Sequence, residues 1–197
     1  MSLFKRIYLF SFIVLLSNTS AFASGIEGSY GFGFAAGAYQ LKASEGTLDG
    51  ISYASPIHLF YMAEMGSTSR LTAEFFHYSM RFESSPNDTL GTEVLNSGVN
   101  LLYEEEIKFS NSFRPILGAG LSVSKLVQTA RHDTDTNGNL KTQYPDKDEF
   151  ATSLIFSGGY DFQITDSMML YTRVMQSLGI SNDLTETQFL IAFMFRK

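Results

Sequence analysis

The last stretch of the chain reads T-Q-F-L-I-A-F-M-F at Thr187–Phe195, and it alternates between two kinds of side chain. One face of an extended chain would carry Phe189, Ile191, Phe193 and Phe195, and the other would carry Gln188, Leu190, Ala192 and Met194. Because successive side chains of a strand point to opposite faces, the pattern predicts a β-strand with one strongly apolar face. A strand at a chain end must pair or remain an open edge. We interpret it as the closing strand of a small barrel whose apolar face meets lipid.

Residues 1–23 are predicted to be a signal peptide rather than part of the fold. A basic start precedes the apolar run Ile7–Leu16, which is too short to span a bilayer comfortably. The sequence Ala21–Ala23 then matches a processing site, which favours cleavage over the alternative of an uncleaved anchor. Cleavage would leave residues 24–197, enough for one domain.

Composition excludes several classes of function. Removing Lys5 and Arg6 with the signal changes the net charge from −6 to −8, and no basic patch remains for nucleic acid. Cysteine is absent, which excludes disulfides, thiolate metal sites and a lipid-modified cysteine. After the signal, no apolar run approaches the about 20 residues that a membrane helix needs. An exported, aromatic and weakly charged chain that alternates in this way indicates a transmembrane β-barrel.

Eight strands are predicted along the mature chain. They cover Ser29–Lys42, Pro56–Met65, Arg70–Glu83, Val94–Glu105, Phe113–Leu126, Phe150–Phe162, Met168–Ser177 and the final strand. The longer connections between them are the loops Ala43–Ile51, Ser84–Thr92 and Val127–Asp148. Short turns fall on the side of both termini, as in an outer-membrane barrel with periplasmic turns and longer external loops. The predicted fold is therefore all-β, an eight-stranded antiparallel up-and-down transmembrane β-barrel.

Two details of this prediction have alternatives. In the third strand the inward phase is ambiguous beyond Phe76, and we expect a bulge or a mixed rim there. A soluble barrel of the lipocalin kind would fill its interior with the apolar face, and its other face should then carry Lys and Glu. That face carries mostly Gly, Ser, Asn and Ala, which suits the narrow interior of an eight-stranded membrane barrel better.

The chain resembles the small eight-stranded outer-membrane barrel superfamily, which contains the OmpA transmembrane domain and OmpX. The resemblance rests on the final strand and on the stretches Gly28–Tyr39, Arg114–Ser122 and Ser157–Ser167. It implies a Gram-negative host and insertion by the outer-membrane assembly machinery. Two features depart from the family pattern. Arg196 and Lys197 follow the last aromatic residue, and the chain has no Trp, so Tyr and Phe must form the interface girdles.

The alternation places four charged side chains inside the barrel. They are Glu64, Glu74, Glu104 and Arg173. Charges in a membrane-embedded interior must pair, so we predict an interior ion-pair network that plugs the barrel. A gated, narrow channel is the alternative, although eight strands leave little lumen.

The loop segment D-T-D-T-N-G-N-L at 133–140 resembles the first part of a calcium-binding loop. Asp133, Asp135 and Asn137 occupy oxygen-ligand positions, and the glycine of the turn follows. Tyr144 stands where a bidentate glutamate should complete the loop. A bound Ca²⁺ is one hypothesis, and the favoured one is a solvated loop in which Asn137 and Gly138 make a turn. No other cofactor is predicted.

His77 and Ser79 form an H-x-S pair on a predicted strand, where both side chains share a face. A histidine placed there could deprotonate the serine. The pair resembles that of lipid A deacylases of the PagL kind, which implies a lipid-facing esterase site. Met80 stands where an Asn usually follows, and the acid partner, Glu83 or Glu93, is left open. The favoured interpretation is a histidine at the rim without a catalytic role.

The sequence as a whole predicts a monomeric, non-catalytic protein of the cell outer membrane, surrounded by lipids and lipopolysaccharide. It would stabilise the envelope or use its loops for adhesion, with Val127–Asp148 as the expected surface for an external ligand. A lipid A-modifying esterase and a narrow channel are the alternatives.

Overall fold

The structure of the protein is a computed structural model that describes residues 28–43, 46–83, 85, 87–110, 113–181 and 184–196. The predicted signal peptide at residues 1–23 lies outside the described residues. Helices long and apolar enough to cross a membrane do not occur in these described ranges.

The described residues form ten strands. In chain order they are β1 Gly28–Ala43, β2 Gly46–Glu64, β3 Ser69–Glu83, β4 Thr92–Glu106, β5 Ile116–Thr129, β6 His132–Thr134, β7 Leu140–Gln143, β8 Lys147–Thr165, β9 Met168–Gly179 and β10 Leu184–Arg196. Eight of them close into one barrel in the order β1-β10-β9-β8-β5-β4-β3-β2, and β6 and β7 pair as a separate hairpin. All pairs are antiparallel, so the predicted eight-stranded barrel is confirmed.

β10 is the closing strand that the sequence predicts. It pairs with β1 over a long register that includes Tyr30↔Phe195 and Gly33↔Ala192. A Cβ atom at Gly33 would lie 2.6 Å from both Ala192 Cβ and the Ile191 carbonyl oxygen, so the absence of a side chain lets the two strands approach. Outside, Phe32 packs against Phe193 with ring centroids 6.1 Å apart. Glycine inside and aromatic rings outside therefore meet on the same strand pair.

The two faces of the barrel differ in polarity. Each of its eight strands exposes a large apolar side chain on the outer face, and examples in barrel order are Phe32, Phe189, Val174, Phe156, Leu121, Tyr103, Phe75 and Leu59. On the inner face the buried side chains include Glu, Asn, Gln, Ser and Arg as well as apolar groups. The barrel is therefore apolar outside and mixed inside, the reverse of a water-soluble protein.

The prediction of a loop at Ala43–Ile51 is wrong for its described residues, while residues 44 and 45 lie outside the described residues. β1 and β2 extend into this segment, and the backbone ladder continues through Leu41↔Leu48 to Ala43↔Gly46. The segment is polar and contains Gly and Asp, so it carries no strand pattern of its own. Pairing with the extended end of β1 holds it in a strand, which is a tertiary effect that local sequence does not reveal.

The predicted loop Val127–Asp148 is too long for the same reason. β5 continues to Thr129 and β8 begins at Lys147, so the pair Gln128↔Lys147 belongs to the barrel ladder. The β6–β7 hairpin occupies most of the remaining connection. Strands that stand in water beyond the lipid need no apolar face, so their ends are invisible to a hydrophobic pattern.

Of the two explanations that we expected for β3, a bulge or a mixed rim, the structure shows no bulge in this strand. Its register with β4 is continuous, and burial alternates regularly from Thr72 to Phe82. The inward face changes from polar to apolar along the strand because Phe76, Tyr78, Met80 and Phe82 join an apolar cluster with Val94, Leu126 and Leu184. The phase looked ambiguous in the sequence because the inward side chains of β3 change from polar to apolar along the strand.

Candidate functional site

The barrel has two distinct ends. The turn end carries Gly28, Arg196 and the short connections, and the loop end carries the connections from β3 to β4, from β5 to β8 and from β9 to β10. Polar side chains fill the lumen between these ends at three levels.

The level nearest the turn end is a ring of two guanidinium and two carboxylate groups. Arg70 Nε and Arg173 Nε donate to opposite oxygens of Glu104 at 3.0 and 2.7 Å. Both arginines also donate through Nη1 to Asp161, Arg173 at 2.9 Å. Glu104 is completely buried and accepts further hydrogen bonds from the Thr72 and Tyr171 hydroxyls at 2.8 and 3.2 Å.

The local sequence explains how these groups reach one point. Glu104, Arg70 and Arg173 all occupy inward positions, on β4, β3 and β9. The inward position next to Glu104 on β5 is Gly118, where a Cβ atom would lie 2.9 Å from Glu104 Cγ. Tyr171 provides a face for Arg173, whose guanidinium carbon lies 3.9 Å from the ring centroid. The charges are therefore paired and packed, as burial in a membrane barrel requires.

The middle level contains His58, Glu74 and Asn100. His58 Nδ1 pairs with one oxygen of Glu74, and Asn100 donates to the other at 2.8 Å. The imidazole ring stacks with Phe60, and both His58 and Glu74 are buried.

The level nearest the loop end is centred on Glu186. Tyr78 donates its hydroxyl hydrogen to Glu186 at 2.7 Å, and Asn96 and Gln188 donate to the carboxylate at 3.0 and 2.9 Å. A cavity between Tyr78 and Glu186 holds about 10 Å³, room for about one water molecule. The lumen at this level is thus filled by hydrogen-bonded side chains.

A larger cavity of about 440 Å³ opens at the turn end below the arginine ring. Its walls include Glu64, which pairs with Arg196, and Arg114, which donates to Glu106 at 3.4 Å. Arg70 and Asp161 lie at its inner side. This cavity ends at the charged ring, so it is a mouth of the barrel.

The structure brings only part of the predicted interior network together. Glu104 and Arg173 are in direct contact, whereas Glu74 pairs with His58 and Glu64 lies at the mouth with Arg196. The predicted network left out three charged groups that line the lumen. They are Arg70, Asp161 and Glu186, which share the inward phase of Thr72, Gly159 and Gln188. Phase alone could have found them, although their partners lie on strands far apart in sequence.

The second candidate site is the external loop platform, which we define as residues 85, 87–91 and 131–145. Ser85 Oγ lies 2.7 Å from Thr134 Oγ1, and Asn87 Nδ2 donates to the Thr136 carbonyl at 2.7 Å. Gly138, at φ 83°, lies so close to Asn87 that a Cβ atom would collide with its carbonyl oxygen. The two loops therefore form one joined surface.

A buried ionic pair joins the same loops. His132 Nε2 lies 3.0 Å from both oxygens of Asp88, and His132 Nδ1 lies 2.5 Å from the Ala130 carbonyl oxygen. Asp88 also accepts hydrogen bonds from the backbone N–H groups of Leu90 and Gly91. Burial lowers the pKa of His132, but the Asp88 and Ala130 hydrogen bonds raise it by more, so the pKa lies above its usual value.

Two of the predicted calcium ligands, Asp133 and Asp135, interact instead with groups of the β6–β7 hairpin itself. Backbone N–H groups of Asn137 and Asn139 donate to Asp135 Oδ1 at 2.8 and 2.9 Å, and the Asn139 side chain donates to Oδ2 at 3.0 Å. These bonds, with the Asn139 side chain first, lower the pKa of Asp135. Asp133 pairs with Lys141 at 3.8 Å. Clusters of three or more His, Asp or Glu side chains suited to a metal ion do not occur among the described residues.

His77 and Ser79 both lie on the outer face of β3, on its loop-end half. His77 Nδ1 lies 2.7 Å from Ser97 Oγ on the neighbouring strand β4. The hydrogen-bond partner of the His77 ring is therefore a serine on the neighbouring strand.

Comparisons with known proteins identify the fold. No protein-family model matches the chain, and no curated protein matches it in sequence. Neisserial surface protein A is similar in structure, with a TM-score of 0.58 and 13% identity over 88% of this chain and 100% of that chain. Ail, the attachment invasion locus protein of Yersinia pestis, solved in complex with the heparin analogue sucrose octasulfate, has a TM-score of 0.50 and 13% identity over 87% and 99%. The chain has the fold of the small eight-stranded outer-membrane β-barrels, so the predicted resemblance is confirmed as a likeness of fold.

Proposed function

We propose that the protein is a non-catalytic barrel of a Gram-negative outer membrane that holds an ordered loop surface outside the cell. The observation that carries this proposal is the contrast between an apolar outer face on all eight strands and a lumen filled at three levels. A barrel filled in this way is an anchor rather than a conduit, because solutes have no open path through paired side chains.

The orientation follows from the two ends. The short connections, the start of β1 and the end of β10 all lie at the turn end, which we assign to the periplasm, and the loop platform then faces outward. Tyr30, Tyr61 and Tyr103 are exposed on the outer face near the turn end, where amphipathic rings favour a membrane interface. They replace the missing Trp.

The surroundings that fit this anchor are lipid and lipopolysaccharide. Apolar side chains are exposed on every barrel strand, so no side is set apart for a second copy, and we infer a monomer. Insertion would then require the outer-membrane assembly machinery. The proposed role needs neither a cofactor nor nucleic acid.

The loop platform is the surface that we propose for an external ligand. Leu90 and Leu140 are exposed on it, and isolated apolar groups on an ordered surface suit a protein partner. Ail was solved with the heparin analogue sucrose octasulfate. Residues 131–146 here carry three aspartates against Arg131, Lys141 and a His132 whose pKa is raised, so their charges nearly balance. A net charge near zero gives a polyanion little attraction to this hairpin, so we propose a protein partner rather than a polyanion.

The test compares three strains of a Gram-negative host that express the whole chain, the chain with 131–145 replaced by a short turn, or neither. Sensitivity to detergent with EDTA reports envelope stability, and binding of cells to immobilised host proteins and to heparin reports adhesion. Protection that survives hairpin removal would support the stabilising role, and protein binding lost with the hairpin would support the loop role. Strains that are indistinguishable in both assays would contradict the proposal.

A further inference from the structure

The ring of His132 faces a hydrogen-bond acceptor at each of its nitrogens. Nε2 approaches the Asp88 carboxylate, and Nδ1 approaches the Ala130 carbonyl oxygen. A carbonyl and an ionised carboxylate can only accept, so both nitrogens must donate. A neutral imidazole carries one N–H group and an imidazolium carries both. The joined loops therefore select the protonated ring.

We propose that His132 is a proton switch of the external loop platform, whose protonation docks the β6–β7 hairpin against residues 87–91 and whose deprotonation releases it. This regulation deepens the proposed loop function, and its biological meaning rests on that function. The contact itself needs no ligand, so it can be tested separately.

The Asp88 acceptor is held by its own turn, and the Ala130 acceptor lies two residues from the ring in sequence. Asp88 Oδ1 accepts from the N–H groups of Leu90 and Gly91 at 3.0 and 2.9 Å, in a turn where Gly91 has φ 66°. Ala130 has φ 53°, a left-handed conformation that is unfavourable for a residue with a Cβ atom. Held by these two N–H groups, the Asp88 carboxylate cannot turn away when the ring loses a proton. One bare nitrogen would then face an oxygen in a buried site.

The charged groups around the ring favour the same state. Asp88 faces it from the opposite loop, and Asp133 stands beside it on β6, where Lys141 pairs with Asp133. Arg131 lies next to His132 in sequence and donates to the Pro145 carbonyl at 2.8 Å. Two acidic groups therefore act on the ring, and one of them makes direct contact.

The direction of the pH effect follows from the raised pKa of His132 in the docked state. A group whose pKa is raised by docking stabilises the docked state fully below its ordinary pKa, which is about 6.5 for His. That contribution is lost as the pH rises through the higher, docked value. Each unit by which the pKa of His132 in the docked state exceeds its value in the released state changes the ratio of docked to released loops by about tenfold.

Spin labels measure docking directly. The chain contains no cysteine, so Thr89→Cys and Thr142→Cys introduce two unique attachment sites at exposed positions on the two loops. Electron–electron distance measurements in lipid nanodiscs should give one narrow distance at about pH 5 and a broad distribution at about pH 9, on either side of the ordinary His value. His77→Gln, which removes a histidine of β3, is the control and should keep this response.

Two substitutions at the Asp88–His132 pair should change the pH dependence in different ways, one abolishing it and the other reversing it. His132→Gln cannot titrate, so the distance distribution should become independent of pH. In Asp88→Asn the Oδ1 atom can still accept from the backbone, while an N–H group replaces Oδ2 and can donate to the bare Nε2 of a neutral ring. Docking in this variant should therefore strengthen, rather than weaken, as the pH rises.

A second measurement uses the unlabelled whole chain, so its result does not depend on any change that the spin labels cause in the loops. Imidazole NMR should show that His132 titrates above the ordinary His value of about 6.5. A titration at or below that value would overturn the proposal. So would an Asp88→Asn variant that keeps the pH trend of the parent protein, because that trend would then have another origin.

Discussion

Replacing Glu104 by glutamine should destabilise the barrel far more than an ordinary conservative change. The two carboxylate oxygens each face an arginine Nε, that of Arg70 at 3.0 Å and that of Arg173 at 2.7 Å. Whichever oxygen becomes the NH₂ group will face a guanidinium N–H, so donor meets donor in either orientation. Glu104→Gln also leaves the buried Arg173 and the half-buried Arg70 with Asp161 as the remaining carboxylate of the ring.

The expected loss is about 3–5 kcal/mol, because removal of one partner leaves a buried charge without compensation. With an m-value of about 2 kcal/mol per M, a loss of about 4 kcal/mol lowers the urea midpoint by about 2 M. The measurement is urea unfolding of the protein folded in phospholipid vesicles, followed by far-ultraviolet circular dichroism.

Glu105→Gln is the matched control, since it makes the same chemical change on the next residue. Glu105 is half-buried, and it accepts hydrogen bonds from the Thr68 and Tyr103 hydroxyls in an exposed setting. Its effect should stay within about 0.5 kcal/mol, the usual size of a surface change. Adding Arg173→Met to Glu104→Gln restores the charge balance of the ring and should recover part of the loss. Equal midpoints for Glu104→Gln and Glu105→Gln would refute the reasoning.

Three further predictions concern closure of the barrel, calcium binding and lipid A deacylation. Gly33→Val should prevent or strongly weaken folding, because its Cβ atom would lie 2.6 Å from Ala192 Cβ on the closing strand. The folded fraction is read from the change in gel mobility on boiling, and a variant as stable as the parent would contradict the closure geometry. Millimolar Ca²⁺ should neither produce heat in calorimetry nor raise the melting temperature, because Asp135 already accepts hydrogen bonds from three groups within its turn. Saturable heat that is lost in Asp133→Asn would instead show a calcium site. Overexpression of the parent and of Ser79→Ala should leave the mass spectrum of lipid A identical, because His77 hydrogen-bonds Ser97; loss of an acyl chain with the parent alone would establish the esterase.

The barrel could be predicted from the sequence because its signal is repeated. Outward residues such as Phe189 and Ile191 recur on alternate positions of every strand, and lipid requires this apolar face wherever the barrel crosses it. The alternation also predicted which side chains point into the lumen, and Glu104 and Arg173 are buried there as predicted.

The strand ends could not be predicted in the same way. Residues such as Thr47 and Lys147 stand at the loop end, where water meets both faces and no apolar pattern is required. Their strand conformation depends on backbone pairing with partners that are themselves extended. The pattern therefore disappears where the lipid ends, although the ladder continues.

The partners inside the lumen depended on register. Arg70 reaches Asp161 across 91 positions of sequence, and Glu186 reaches Tyr78 across 108. One residue of slip in any strand would turn these groups outward. The Asp88–His132 contact of the loops was invisible for a similar reason, because two turns from different hairpins meet in space.

The central claim is that a barrel with a filled lumen anchors the loops in the outer membrane, and fractionation with gel mobility tests it most directly. The whole chain is expressed in a Gram-negative host, the membranes are separated, and samples are run in SDS with and without boiling. We predict a band in the outer-membrane fraction that migrates differently before and after boiling, because the closed barrel resists SDS until it is heated. A soluble periplasmic protein without a heat shift would contradict the account, and the apolar face would then have to lie inside.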